Sequence, residues 1–199
     1  MLGLIFLSFE GFICQTYNPE VWRGALRKSA HEADGFEPLF QYDDVIAATL
    51  IEEISGSLRK SPQSLLEDFG TYLVTNPVSE RVRRLLRFGG VDYEDFLHSL
   101  EDLSGRASLA VPDLNLPAIE VNEASGLSFE ILVEDPEGYL SAVLLGILRA
   151  LADDYGTLAI LELVPGCQDD RGGKRLLTAQ LVDMSHGEAR EFQLVANAE

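Results

Sequence analysis

The sequence predicts an α+β fold in which an N-terminal helical half packs on a C-terminal, mostly antiparallel sheet with one inserted helix. Three observations carry this expectation. Apolar residues recur at helical spacing through residues 1–109, runs of strand character separated by turn residues take over beyond Pro112, and one helical pattern from Leu140 to Leu151 interrupts those runs. No repeat, low-complexity linker or sharp change of composition divides the chain, so a single domain over 1–199 is expected, with a helical part at 1–111 and a sheet-containing part at 112–199.

In chain order, Leu4, Ile5, Ser8, Phe9, Phe12 and Ile13 share one face of a first helix. Asn18-Pro19 pairs an N-cap residue with proline at the first helical position, opening a helix that carries Val21, Trp22, Ala25 and Leu26. After a polar loop through Asp34 and Gly35, Tyr42-Asp43-Asp44 starts a helix with Val45, Ile46, Leu50 and Ile54, which Gly56 ends or weakens. Ser61-Pro62 repeats the capping signature ahead of Leu65, Leu66, Phe69 and Leu73, and Ser79-Glu80 opens a basic helix that stops at Gly89-Gly90. Asp92 begins the last helix of this half, bearing Phe96, Leu97, Leu100 and Leu103 before Ser104-Gly105, where glycine costs roughly 1 kcal/mol relative to alanine.

Ile119–Val121, Leu127–Val133, Leu158–Val164, Leu176–Val182 and Glu191–Leu194 read as strands, and 168–173 as a polar hairpin turn. Asp135-Pro136-Glu137 caps the inserted helix. Its Leu140, Val143, Leu144, Ile147, Leu148 and Leu151 form an apolar face wide enough to lie on a sheet.

Composition narrows the function. With 46% hydrophobic and 24% charged residues among 199, the chain is globular rather than disordered. Fifteen basic against 33 acidic residues give a formal charge of −18, which repels phosphate backbones and anionic lipid and leaves nucleic acid and membrane partners disfavoured. Excess acid keeps a cytosolic protein soluble, and it also attracts a partner with a basic face. Cys14 and Cys167 stand apart from any metal or redox spacing and read as buried thiols. The apolar opening, Met1 to Phe9, lacks the basic flank and cleavage site of a signal peptide, and no stretch approaches the roughly 20 apolar residues of a membrane span, so the cytoplasm is the expected location.

Catalytic constellations are missing from the pattern. His31, His98 and His186 are scattered over a loop, a helix and a turn, with no spacing for a metal pair or a triad. Gly89-Gly90 and Gly172-Gly173 do not follow strands as a phosphate loop would, and Asp43-Asp44, Glu52-Glu53 and Asp153-Asp154 read as solvated helix ends and faces. The expectation is a non-enzyme without a metal site.

One family resemblance spans almost the whole chain. Met1-Leu2-Gly3-Leu4-Ile5-Phe6 with Trp22 in the next helix, then Tyr42-Asp43-Asp44-Val45, Leu50-Ile51, Ser55, Ser61 and the run Leu65 to Tyr72 (LLEDFGTY) are similar, in order, to motifs of the haem nitric oxide/oxygen binding (H-NOX) family. These include its YPDE and ELLE-FG-Y runs. The resemblance implies a gas-sensing domain of the kind related to soluble guanylate cyclase, with haem between the helical half and the sheet, and a signal relayed to a kinase, a cyclase or a chemoreceptor.

The resemblance breaks at the residues that would hold haem. Where the family's LDNLH pattern presents a histidine to iron, this chain reads Leu100-Glu101-Asp102-Leu103-Ser104, and a hydroxyl is a poor iron ligand beside neutral imidazole. His98 lies six residues earlier on the same expected helix, turned away from the ligand direction. The YxSxR motif that grips the haem propionates falls on Leu132, Glu134 and Pro136, while Glu134, Asp135 and Glu137 would bring like charges towards them. Pro117 falls where the family has a proline against the haem plane.

The reading that follows is a sensor or regulatory domain that does not bind haem in the family's way and needs no cofactor. It would act through an apolar interior pocket lined by Leu4, Ile5, Phe9, Phe69, Leu73, Ser104, Pro117, Tyr139, Val143 and Leu144. That pocket would hold an apolar small molecule or be filled by the chain's own side chains. The effector, of kinase or cyclase type, would be a separate chain. One alternative is a haem-based NO or O2 sensor with unusual ligation through His98, Tyr139 or an exogenous ligand, and another is an enzyme that uses the pocket.

Overall fold

The computed structural model describes residues 1–29, 35–87, 89–165 and 173–182. Helix α1 (Gly3–Thr16) buries Phe6, Phe9, Phe12 and Ile13, whereas Leu4 is exposed and Ile5 half-buried. The buried face is therefore turned from the expected one. The segment Phe36–Tyr42 folds back to the start of the helix, where the Gly3 N–H donates to the Phe40 carbonyl (2.8 Å) and the Leu4 N–H to the Pro38 carbonyl (2.9 Å), and its Phe36 and Tyr42 rings pack on Phe6 and so bury that side. Cys14 is half-buried rather than buried, because it sits beside that core instead of inside it.

The expected caps form. Asn18 accepts the Glu20 N–H at the start of α2 (Pro19–Leu26), Asp43 the Val45 N–H at α3 (Asp44–Leu58), and Ser61 the Ser64 N–H at α4 (Pro62–Thr75). Gly56 does not end α3, which continues to Leu58 and stops where Arg59 adopts a left-handed conformation (φ 55°). One glycine costs a helix only about 1 kcal/mol, too little to terminate a well-packed one. The basic α5 (Glu80–Arg87) follows. The expected last helix is two, α6 (Tyr93–His98) and α7 (Leu103–Ala110), separated by a 3₁₀ turn over Ser99–Asp102.

Strands β1 (Ile119–Ser125), β2 (Ser128–Glu134), β3 (Ala159–Leu163) and β4 (Lys174–Leu181) form an antiparallel sheet in the order β1-β2-β4-β3, and α8 (Tyr139–Tyr155) connects β2 to β3. The strand expected at 191–194, most of the turn at 168–173, and His31, Cys167 and His186 lie outside the described residues.

Two cores result. The first is aromatic, with Phe6, Phe9, Phe12, Trp22, Phe36 and Phe69 among its members, and the second joins Tyr93, Phe96, Leu97 and Leu100 to the inner face of the sheet and to α8. They meet where α4 crosses α8. A Cβ on Gly70 would lie 2.0 Å from the Val143 carbonyl oxygen, and one on Gly146 would lie 1.9 Å from that of Glu67, so the two backbones touch only because both residues are glycine. Among the described residues, no helix is long and apolar enough to cross a membrane.

Candidate functional site

The residues singled out by the sequence fall in two groups, one on α7 with the segment leading into β1 and one at the turn into α8, and the Glu134 N–H, donating to the Ala118 carbonyl (3.1 Å), brings the two side by side. In the first group Ser104 lies in the first turn of α7, half-buried, and its hydroxyl donates to the Leu116 carbonyl at 2.9 Å. One turn later the Ser108 hydroxyl donates to the Ser104 carbonyl (3.0 Å), with the Leu114 carbonyl at 3.4 Å. These bonds stitch α7 to the segment that leads through half-buried Pro117 into β1. The Glu101 carboxylate secures the same junction by accepting the Val121 N–H at 3.0 Å.

His98 belongs to a different helix. It ends α6, is exposed, and meets the Phe129 ring edge-on at 5.5 Å. The 3₁₀ turn between it and Ser104 replaces the single helical track expected from the sequence, and Phe129 belongs to the sheet core.

In the second group, Leu132 is half-buried on β2 opposite Leu176, Glu134 is exposed at the end of β2 opposite Lys174, and Pro136 is exposed in the turn to α8. Between them Asp135 is buried. Its carboxylate accepts the Gly138 N–H (3.1 Å), the Ser141 N–H (2.7 Å) and the Ser141 hydroxyl (2.7 Å), so it satisfies the first turn of α8 and lies at the favourable end of the helix dipole. From β4 the Arg175 guanidinium donates to the carbonyls of Asp135 (3.3 Å) and Pro136 (3.1 Å). The turn thus meets its own polar demands. Sequence reading found the cap but missed Arg175, and Asp135-Pro136-x-Gly138, with Gly138 at φ 79°, was the available turn signal.

Of the ten residues expected around a pocket, Phe9 and Phe69 belong to the first core and Leu144 to the second, Tyr139 packs against the first, and Leu73 and Val143 pack against both. Leu4, Ile5, Ser104 and Pro117 are in neither. The first core is closely packed by rings, with centroids 5.1 Å apart for Phe9–Phe69, 5.5 Å for Phe12–Phe69 and 4.3 Å for Phe6–Phe36.

Tyr139, the first residue of α8, is half-buried. Burial pushes its pKa up, and the carboxylates of Glu137, Glu52 and Asp135 add to the shift, so its ionised form is disfavoured. No group of three or more His, Cys, Asp or Glu placed to hold a metal ion occurs among the described residues. Where the resemblance puts the iron ligand and the propionate partners, Ser104, Leu132, Glu134 and Pro136 themselves supply neither an imidazole nor a cation, while the Arg175 guanidinium beside them is engaged with two backbone carbonyls.

Comparison with known proteins agrees with this architecture. A family model described as Haem-NO-binding matches residues 2–161. Soluble guanylate cyclase 89Da of Drosophila melanogaster is 20% identical over 183 residues, covering 92% of this chain and 27% of that protein. Soluble guanylate cyclase 89Db of the same organism is 21% identical over 170 residues, covering 85% and 25%. The chain thus spans about a quarter of the length of these relatives. Among solved structures, the Fe(II) unliganded H-NOX protein from K. algicida superposes with a TM-score of 0.78 at 18% identity, covering 92% of this chain and 97% of that one. An H-NOX protein from S. oneidensis in the Fe(II)NO ligation state gives 0.76 at 16%, covering 92% and 100%. These likenesses confirm the α+β fold.

Proposed function

This chain belongs to the haem-NO-binding, or H-NOX, family of sensor domains, and we propose that it is a member whose regulatory role does not depend on haem held in the family's way. The observation that carries the reading is Ser104. At the position where the resemblance puts the iron ligand stands a hydroxyl that is already bonded to the Leu116 carbonyl. The occupied turn around Asp135 supports it, since Leu132, Glu134 and Pro136 offer no cation there and Arg175 serves two backbone carbonyls.

On this reading the domain works as one unit, its helical and sheet parts joined across α4 and α8, and signals in the cytoplasm to a separate effector chain of the cyclase or kinase type. The ring-packed interior favours a domain whose pocket is filled by its own side chains over one that captures an apolar ligand. The test is to express the protein in haem-supplemented cells and purify it through gel filtration. A preparation with no stoichiometric Soret absorbance is expected, and a full-occupancy band carried through the column would overturn the reading.

A further inference from the structure

The side of the sheet that faces away from α8 carries a polar row of its own. Across its middle the register sets Asn122, Glu130, Thr178 and Glu162 in one row, from β1 through β2 and β4 to β3. Neighbouring strands lie about 4.8 Å apart, so Glu130 and Glu162 flank Thr178 at a separation of about 10 Å. A shallow groove of about 240 Å³ runs along this row and the next, where Ser128, Gln180 and Ile160 stand in register.

An apolar margin borders the groove. Leu158 and Ile160 on and beside β3 are 55% and 54% exposed, and Val182 at the end of β4 is 38% exposed, its N–H donating to the Leu158 carbonyl. Alternation along the strands puts all three on the same side as Glu162 and Gln180. Contiguous exposed apolar residues beside a concave polar row are the mark of a docking surface.

The edges of the sheet are poor templates for an added strand. Arg149 donates to the Leu161 carbonyl on the free edge of β3 (3.2 Å), and Glu101 occupies the Val121 N–H on the free edge of β1. A partner would therefore lie on the face.

We infer that the outer face of the sheet docks a basic amphipathic helix of another chain, with two Lys or Arg side chains seven residues apart reaching Glu130 and Glu162 and apolar residues on Ile160, Leu158 and Val182. Two turns of helix advance about 10.5 Å, which matches the separation of the two carboxylates. Charge selects this occupant over the others. A second copy would set Glu130 and Glu162 against their own duplicates, and the chain's remaining stretches, 30–34, 166–172 and 183–199, are themselves net acidic. The inference rests on the proposed function only for its separate effector, because docking on this face is read whether or not haem binds.

The probe is a synthetic helical peptide with two lysines seven residues apart on a leucine face, compared by fluorescence anisotropy with a peptide of the same composition whose lysines are five apart. The intact protein should bind the first roughly tenfold more tightly than the second. Glu130→Gln with Glu162→Gln should remove most of that preference, and so should Ile160→Asp. Glu94→Gln with Asp102→Asn makes the same change of net charge on exposed carboxylates of α6 and the 3₁₀ turn, and should leave the preference intact. Equal losses from the two double variants would show general attraction to an acidic protein and overturn the inference. Failure to prefer the seven-residue spacing would overturn it as well, as would a dimer in sedimentation that Ile160→Asp dissociates.

Discussion

The crossing of α4 with α8 and the α7 end of the candidate site are held in opposite ways. At the crossing, backbone meets backbone, and the space where a methyl group on Gly70 or Gly146 would stand is already filled by a carbonyl oxygen. At α7, a few side-chain hydrogen bonds, from Ser104 and Ser108 to the Leu116 and Leu114 carbonyls and from the Val121 N–H to Glu101, hold a half-buried junction. The crossing fixes how the two cores meet and allows no change of volume, whereas the α7 end can exchange its side chain with little consequence for the fold. A family shape retained at 16–18% identity is what that difference allows.

The largest expected effect tests the crossing. Gly146→Ala places a methyl 1.9 Å from the Glu67 carbonyl oxygen, and relieving the overlap means prising two helices apart across both cores. A loss of about 3 kcal/mol is expected in urea denaturation. Alanine favours an isolated helix over glycine by about 1 kcal/mol, so a loss runs against intrinsic propensity and isolates the steric cause. A variant as stable as the parent would break the comparison at its rigid side.

The turn into α8 stands between these extremes, since it depends on side-chain hydrogen bonds but buries them. Asp135→Ala removes one carboxylate that serves two N–H groups and a hydroxyl, and it leaves the Ser141 hydroxyl buried. A loss of about 2–3 kcal/mol is expected by the same measurement. Asp135→Asn, which keeps one acceptor oxygen, should recover part of it. Equal losses for the two variants would assign the effect to charge at the helix N-terminus rather than to the bonds.

Much of this could be read from the residues, and what could not shares a physical origin. Asn18, Asp43 and Ser61 announce their helices because capping is local, between a side chain and an N–H two or three residues on. Strand β2 announces itself through alternation, since Phe129, Ile131 and Val133 on one of its faces are buried in the sheet core. The exposure of Leu4 was hidden, because it depends on a segment more than thirty residues away folding over α1. The break between α6 and α7 and the reach of Arg175 to the turn were hidden for the same reason. Gly70 stood in the run that carried the family likeness, but its partner Gly146 is far along the chain, and only the fold shows why neither tolerates a side chain.

The smallest expected effect bears on the function. Ser104→Ala deletes the hydroxyl and leaves the Leu116 carbonyl without that donor, in a junction open enough for water to replace it. Stability should fall by no more than about 1 kcal/mol, against the larger loss for Asp135→Ala. That ordering follows from burial: an exchanged side chain at a half-buried position costs little. If Ser104→Ala instead destabilises the protein as much as Asp135→Ala, the serine is a structural anchor of the α7 junction, and the comparison breaks at that side.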